Sequence, residues 1–542
     1  MTRRVPPSPP RLVRFVPGAL AALAGSAALA QESEPAPSET APDAVTPAAL
    51  PADVTLDDRI SAAVSPIIDP FVGFVFSPLP GSEALLGTGL PWIVLWLVVA
   101  AIVFTAYFGF IQFRGVGHSL KLVRGDYLDP RDAGEVTPFQ ALCTALSGTV
   151  GLGNIAGVGV AIYLGGPGAT FWMILAGLLG MASKFTECTL GVHYRNEYPD
   201  GTVSGGPMYY LSKGLAERGM AGFGKVLAVC FAVACVFGAL GGGNMFQANQ
   251  SAQQIANIFP FFATRGWMFG LIMAILVGIV IIGGIKSIAK VTEKVVPFMA
   301  AIYVGSALII ILLSLDQVGT AFGAIIEGAF APTAVAGGAV GALIQGFKRA
   351  AFSNEAGIGS ASIAHSAVQT KHPATEGYVA LLEPFIDTVV VCTMTALVIV
   401  ITNSWVPDSG VSGIELTSAA FESKFGAFKY VLAVAAVLFA FSTMLSWSYY
   451  GLKAWTYMFG EGKAKELIFK LIFCVFVVIG ASLGLGPVID FSDAMIFTMG
   501  IFNVLGLYLL MGKVKEIHAD YNRRLKSGEF PDVRAAKLAR AR

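Results

Sequence analysis

The sequence predicts an all-α integral membrane protein, with one leading span followed by two five-helix repeats inserted in opposite senses, eleven spans in all. Three observations predict it. The chain is too apolar for water, its apolar segments alternate with loops that are basic on one side only, and two segments are interrupted by similar glycine-rich strings. Of 542 residues, 13% are charged and 55% hydrophobic, with 62 Gly and 38 Phe. Soluble proteins average about 25% charged residues, so a globule of this size could not cover its surface. The net charge of +1 offers no field to nucleic acid. Cys143, Cys188, Cys230, Cys235, Cys392 and Cys474 lie in apolar stretches without a CxxC pair. Neither a disulfide framework nor a zinc site is indicated, and they read as small packing residues.

The amino terminus comes before the spans. Arg3, Arg4, Arg11 and Arg14 precede an apolar run, Ala19–Ala30, that ends in small residues. This pattern predicts a signal peptide over 1–30. The acidic, Pro-rich stretch that follows, 31–84, is expected outside the cytoplasm, ahead of a transporter domain at 85–512 and a basic cytoplasmic tail at 513–542. Within 31–58 there is no Lys or Arg and too little apolar surface to order the chain.

A helical span needs roughly 20 apolar residues. Candidates fall near 92–112, 138–163, 168–192, 226–255, 267–285, 294–314, 340–366, 377–402, 428–450, 467–486 and 489–511. Arg114, Lys121, Arg124 and Arg131 follow the first, and Lys213, Lys286, Lys371, Lys453, Lys513 and Arg523 fall on the same side. The opposite loops carry little more than Arg265 and Lys424. The positive-inside bias then puts the amino terminus outside and the carboxy terminus in the cytoplasm, as expected of a multi-pass protein of a bacterial inner membrane.

Two segments are not plain helices. Gly148, Gly151, Gly153 and Gly157 crowd one span, each costing about 1 kcal/mol relative to Ala in a helix interior. Phe352-Ser-Asn-Glu-Ala-Gly-Ile-Gly-Ser360 interrupts another, and its Gly357-Ile-Gly359 resembles Gly151-Leu-Gly153. Each string opens a five-span set, 138–314 and 340–511. Five is odd, so the second set is inserted upside down, the signature of an inverted-repeat carrier. Unwound backbone in lipid is tolerated only around a buried cavity. There the freed N–H groups suit a carboxylate and the freed carbonyls a small hard cation. Glycines for close helix packing would explain isolated positions, but not Ser353, Asn354 and Glu355 inside a span.

Several strings together resemble the alanine or glycine:cation symporter family (sodium:alanine symporters). They are Thr149-Val-Gly-Leu-Gly-Asn-Ile-Ala-Gly157, Ser204-Gly-Gly-Pro-Met-Tyr-Tyr210, Gly243-Asn-Met-Phe-Gln-Ala-Asn249, Phe352–Ser360, Phe385-Ile-Asp-Thr388 and Ser442-Thr-Met-Leu-Ser-Trp447. The resemblance covers about 85–515. It implies a leucine-transporter-like fold, with the first and sixth core helices discontinuous, and sodium-coupled uptake of alanine or glycine across the bilayer. It also implies a substrate site of Thr149, Gly151, Leu152, Gly153, Gln247, Ser353, Asn354 and Trp447, with the carboxylate on backbone N–H groups of residues 151–153. The sodium ion, which is carried rather than resident, falls to carbonyls near Ser147 and Val150 and hydroxyls of Ser442 and Thr443. Family members usually carry Thr at the position of Leu152. The same string resembles the neurotransmitter:sodium symporters, where Leu is accommodated because the backbone does the binding.

Charges inside spans are expensive and point to function or pairing. Asp387 is expected to be deep, a proton or gating group, and Glu355 is grouped with it. Lys348 and Arg349 either compensate Glu355 or face the outer vestibule. Lys184 and Glu187 read as an interfacial anchor, Glu383 as wet, and Asp490 and Asp493 as solvated. The rival readings are proton-coupled symport, a channel, and an intramembrane serine hydrolase built on Ser360 or Ser362 with His365. The chain has no HExxH and no Walker A motif, and no enzyme is expected.

Overall fold

The computed structural model describes residues 66, 68–129, 131–331, 338–407 and 409–530. The expected signal peptide and the acidic stretch up to residue 65 lie outside the described residues. The later part of the expected tail does not stay apart from the body. Residues 68–75 are helical, Val75 is buried, and Phe76 packs edge-on against Phe497 at 5.4 Å.

The described chain is almost wholly helical, its one sheet being the two-stranded pairing of Asn196–Glu197 with Val203–Ser204. Among the described residues six helices are long and apolar enough to cross a membrane, or up to eight if each bent pair is one span. Trp92–Tyr107 turns by 75° through Gly109 and Phe110 into the amphipathic Ile111–Val123. Both turn residues have positive φ, 61° and 58°, the left-handed region that stops a helix. Pro138–Thr149 starts at a reciprocal cap, Thr137 Oγ1 accepting from Gln140 N while Gln140 Oε1 accepts from Thr137 N. It ends at Val150, and the chain resumes at 49° as Gly153–Gly165.

Ala169–His193, Ala221–Ile258, Gly266–Ile281 and Gly284–Leu312 follow, the second of these widened into a π turn at Gly241–Met245. The second set begins with Gly338–Asn354. Six residues without helix separate it from the five-residue Ala361–His365. Then come Pro373–Ile401, Phe428–Phe459, Lys463–Ser482 and Leu485–Ser527. Gly284–Leu312 begins ten residues before the expected start at 294, and Leu485–Ser527 runs past the expected end at 511 into the basic tail.

Large apolar side chains are exposed along Trp92–Tyr107 (Leu95, Val99, Ile102), Gly266–Ile281 (Leu271, Ile275, Ile279) and Lys463–Ser482 (Leu467, Leu471, Val475). A belt of this kind is a surface made for lipid. The interior instead holds many polar groups, Ser147, Asn154, Lys184, Glu187, His365, Glu383 and Asp387 among them.

At one end, the segment leading into Pro138–Thr149 is strapped to the segment leaving Ala361–His365. Glu135 N and Val136 N donate to Ala367 O, Gln369 N to Val136 O and Thr370 N to Ala133 O. Arg195 clasps the strap, its guanidinium donating to the carbonyls of Ala133, Ser366, Val368 and Thr370 at 2.7–3.1 Å. Gly134 is required there, because at φ 138° a Cβ would lie 2.1 Å from Val368 O.

Candidate functional site

The two interruptions meet in the middle of the helical body. A Cβ on Gly153 would lie 3.4 Å from Ser353 Cα and 3.5 Å from the Phe352 ring. Gly151 faces elsewhere, with its Cβ position 2.3 Å from Thr443 Oγ1 and 3.1 Å from Gln247 Oε1. Gly357 is turned away from both, toward Leu97 and Val504. The contact between the interruptions therefore runs through Gly153 and Ser353.

Asp387 ties them together, fully buried on the helical stretch Pro373–Ile401. Asn154 Nδ2 donates to Asp387 Oδ1 at 2.6 Å, and Asn154 Oδ1 accepts from Gly151 N at 2.8 Å. Ser353 Oγ and Thr388 Oγ1 donate to Asp387 Oδ2 at 2.9 and 2.7 Å. Asn354 Nδ2 reaches Thr388 Oγ1 at 2.9 Å while its Oδ1 caps Ala356 N. One carboxylate thus holds the first string through Asn154 and the second through Ser353. Asn154 and Thr388 appear in the sequence only as members of longer strings, with no role of their own expected. The signal available for Asn154 was an amide side chain directly after the glycine string.

Two of the three N–H groups expected to face a carboxylate, those of Gly151 and Leu152, already have partners. Gly151 N donates to Asn154 Oδ1 and to Thr149 O, and Leu152 N donates to Gln247 Oε1 at 2.9 Å. The other end of Gln247 donates to Gly242 O at 2.9 Å, inside the π turn. Gln247 is thereby fixed beside the string, its amide oxygen on the N–H of Leu152. Thr149 turns its hydroxyl back to Ala145 and Leu146 carbonyls, as Thr in a helix often does.

A cluster of hydroxyls lies beside the first string. Ser147 Oγ donates to Ser442 O at 3.1 Å and pairs closely with Ser446 Oγ. Ser442 sends its own hydroxyl to Phe439 O and Met299 Sδ, so it offers a carbonyl to Ser147 and not a hydroxyl to the string. Thr443 Oγ1, buried, has no hydrogen-bond partner among the described residues, and it is the group closest to the Cβ position of Gly151. Ser446 was not among the expected ligands.

Trp447 bridges the two interruptions from the helix Phe428–Phe459. Its indole N–H lies 3.2 Å from Gly148 O and 3.0 Å from Glu355 Oε1. Glu355, buried at φ 57°, also accepts from Ser360 Oγ. Gly243 makes room for Trp447, since a Cβ there would sit 2.1 Å from Trp447 Cγ.

Several expectations for charged groups need correction. Lys348 and Arg349 pair with Asp493, not with Glu355, and Asp493 is buried rather than solvated. Lys184, Glu187 and Glu383 are all 0% exposed, so none is an interfacial anchor or wet. His365 is buried between carboxylates, while Ser360 bonds Glu355 and Ser362 bonds Gly359 O. The Ser–His pair that a serine hydrolase needs is not formed by these residues.

The fold and site define a class. The chain shares the leucine-transporter-like fold with the transporter of the crystal structure "MhsT in complex with L-phenylalanine", at a TM-score of 0.50 and 13% identity over 70% of this chain and 90% of that one. It is a multi-pass membrane transporter. Residues 82–535 match the sodium:alanine symporter family, and the chain belongs to that family. The sodium/alanine symporter AgcS of Methanococcus maripaludis is 39% identical over 427 residues, 78% of this chain and 92% of that protein. The probable sodium/glutamine symporter GlnT of Bacillus subtilis is 34% identical over 81% of this chain and 89% of its own length. The amino-acid carrier protein AlsT of the same organism is 33% identical over 82% and 92%.

Proposed function

We propose that the chain imports small neutral amino acids, alanine and glycine, together with Na⁺ by alternating access. It does so as an eleven-span inner-membrane protein with its amino terminus outside and two discontinuous core helices. The observation that carries this reading is the unpartnered, buried hydroxyl of Thr443 facing Gly151. A buried hydroxyl without a partner costs about 1–3 kcal/mol, and a cation held between it and the carbonyls near Ser147 and Val150 would remove that cost. The ion would also order the first string, and with it the N–H groups of residues 151–153.

Gln247 supplies the exchange. Its amide oxygen holds the Leu152 N–H until the substrate carboxylate takes that donor, and the freed oxygen then accepts from the substrate ammonium. Trp447, Phe352 and Phe246 wall the space around the strings; the two phenylalanine rings pack edge-on at 5.1 Å. Walls of this size favour a side chain of one carbon or none. Coupling to protons is a second reading, favoured by the placement of Asp387 between both strings.

Uptake of labelled alanine and glycine into proteoliposomes under Na⁺, Li⁺ or pH gradients is the test. Accumulation driven by Na⁺ alone is expected, and accumulation driven only by a pH gradient would overturn sodium coupling. Thr443→Ala should raise the Na⁺ concentration for half-maximal uptake about tenfold, a cost near 1.4 kcal/mol. Ser442→Ala should leave it near wild type, because that hydroxyl is spent on Phe439 and Met299. Gln247→Ala should weaken alanine binding by about tenfold or more, as a hydrogen bond to a charged group is worth about 1.5–3 kcal/mol. Wild-type affinity in that variant removes Gln247 from the site.

A further inference from the structure

A second set of buried ionisable groups lies apart from the hydroxyl cluster and the carboxylate exchange. Lys184, Glu187 and Cys188 come from Ala169–His193, and His365 ends Ala361–His365. Glu376 lies on Pro373–Ala380 and Glu383 on Leu382–Pro384. All six are 0% exposed. His365 Nδ1 is 2.6 Å from Glu376 Oε2, and its Nε2 is 2.5 Å from Glu383 Oε1. Lys184 Nζ is 3.3 Å from the other oxygen of Glu383.

A neutral imidazole has one N–H and one lone pair, and an ionised carboxylate only accepts. Two such contacts on one ring therefore need one proton more than a neutral histidine between two carboxylates supplies. With that proton present, His365, Lys184, Glu376 and Glu383 sum to zero charge. Without it the group carries a net negative charge, and a lone pair of His365 faces a carboxylate in a dry interior, where an unpaired charge is costly.

We propose that this cluster is a proton-binding site. One proton, shared along Glu376–His365–Glu383, fastens the segment after the second interruption to the helix of Lys184 and to the start of the helical stretch Pro373–Ile401. The proton is held and not carried. His365 is then a positioning residue. The strap at residues 133–136 and 367–370 begins two residues beyond it. Glu383 lies one helical turn before Asp387, so the tie positions the carboxylate that joins the two strings.

The other groups around the ring do not replace this proton. Glu187 accepts from Asn503, which also donates to Gly357 O. Arg195 is committed to the strap and Glu197. Glu355 and Asp387 face the strings, Tyr210 pairs with Asn503, and Tyr450 on Phe428–Phe459 brings no cation. Lys453 bonds Val203 O and Ser204.

The test uses the purified full chain in detergent and the same chain in proteoliposomes. Thermal unfolding and alanine counterflow are each followed across a pH series. The proton-bound form is the tied one, so stability is full at the lower pH and falls as the proton leaves on raising pH. In wild type both readouts should fall together at alkaline pH. Glu376→Gln keeps the shape but removes one adjacent negative charge, and it should bring both falls lower by about one pH unit or more. His365→Gln should abolish the step. Identical pH profiles for wild type and Glu376→Gln, or an unchanged step in His365→Gln, would overturn the proposal. The unfolding readout needs no substrate. A chain that carries no alanine yet shows the shifted step therefore upholds the proton site and refutes the alanine reading.

Discussion

Asp387→Ala is expected to reduce amino-acid uptake by about 100-fold or more while the protein still inserts in the membrane. The substitution removes the acceptor for Asn154, Ser353 and Thr388, three buried donors from three places in the chain. Asn154 Nδ2 keeps the main-chain carbonyl of residue 387 and Ser353 Oγ keeps Cys392 Sγ, but each donor loses a hydrogen bond to a charged group, worth about 1.5–3 kcal/mol. Two such losses, about 3 kcal/mol at the lower value, already exceed a factor of about 100. The loss falls on the junction of the two strings and not on any lipid-facing surface. Expression and detergent-solubilised size should therefore change little, and uptake should nearly vanish. Uptake within a factor of a few of wild type would mean that the strings do not need this carboxylate to stay together.

Gly151→Ala should be as severe for a different reason. No side chain is lost, but one methyl group arrives 2.3 Å from Thr443 Oγ1 and 3.1 Å from Gln247 Oε1. Both are groups assigned to ion and substrate. Thr443 sits in the middle of a 32-residue helix and cannot retreat cheaply, since overpacking a tight interior costs about 1–3 kcal/mol. Uptake should fall to background, with the sodium requirement no longer measurable. Gly157→Ala is the matched control, because nothing lies within 4 Å of a Cβ there. If the two variants behave alike, the site is not at Gly151.

Much of this was legible in the chain. Glycines at 148, 151, 153 and 157 are too dense for a plain helix, and the structure does bend there. Gln247, which only the family resemblance points to, is found bonded to the first string. What stayed hidden was pairing across distant sequence. Hydropathy counts Lys184, Glu383 and His365 as three charges that ought to seek water. Only the folded chain shows that Glu383 lies between the other two, across 199 and 18 residues. Lys348 and Arg349 sit beside Glu355 in sequence, yet their partner Asp493 is some 144 positions away. The last helix outran its expected end because charge does not stop a helix. Lys513, Lys515, Glu516, Ala519, Arg523 and Arg524 are good helix formers, and the chain turns only at Gly528, φ 76°.

The strap clasped by Arg195 gives the molecule a clock. Its bonds are main-chain bonds, so an excursion that parts the two connected ends lets the amides of Glu135, Gln369 and Thr370 trade hydrogen for deuterium, and nothing short of that parting does. The rate of that trade, read by mass spectrometry with and without alanine, would report how often this end of the carrier comes ajar.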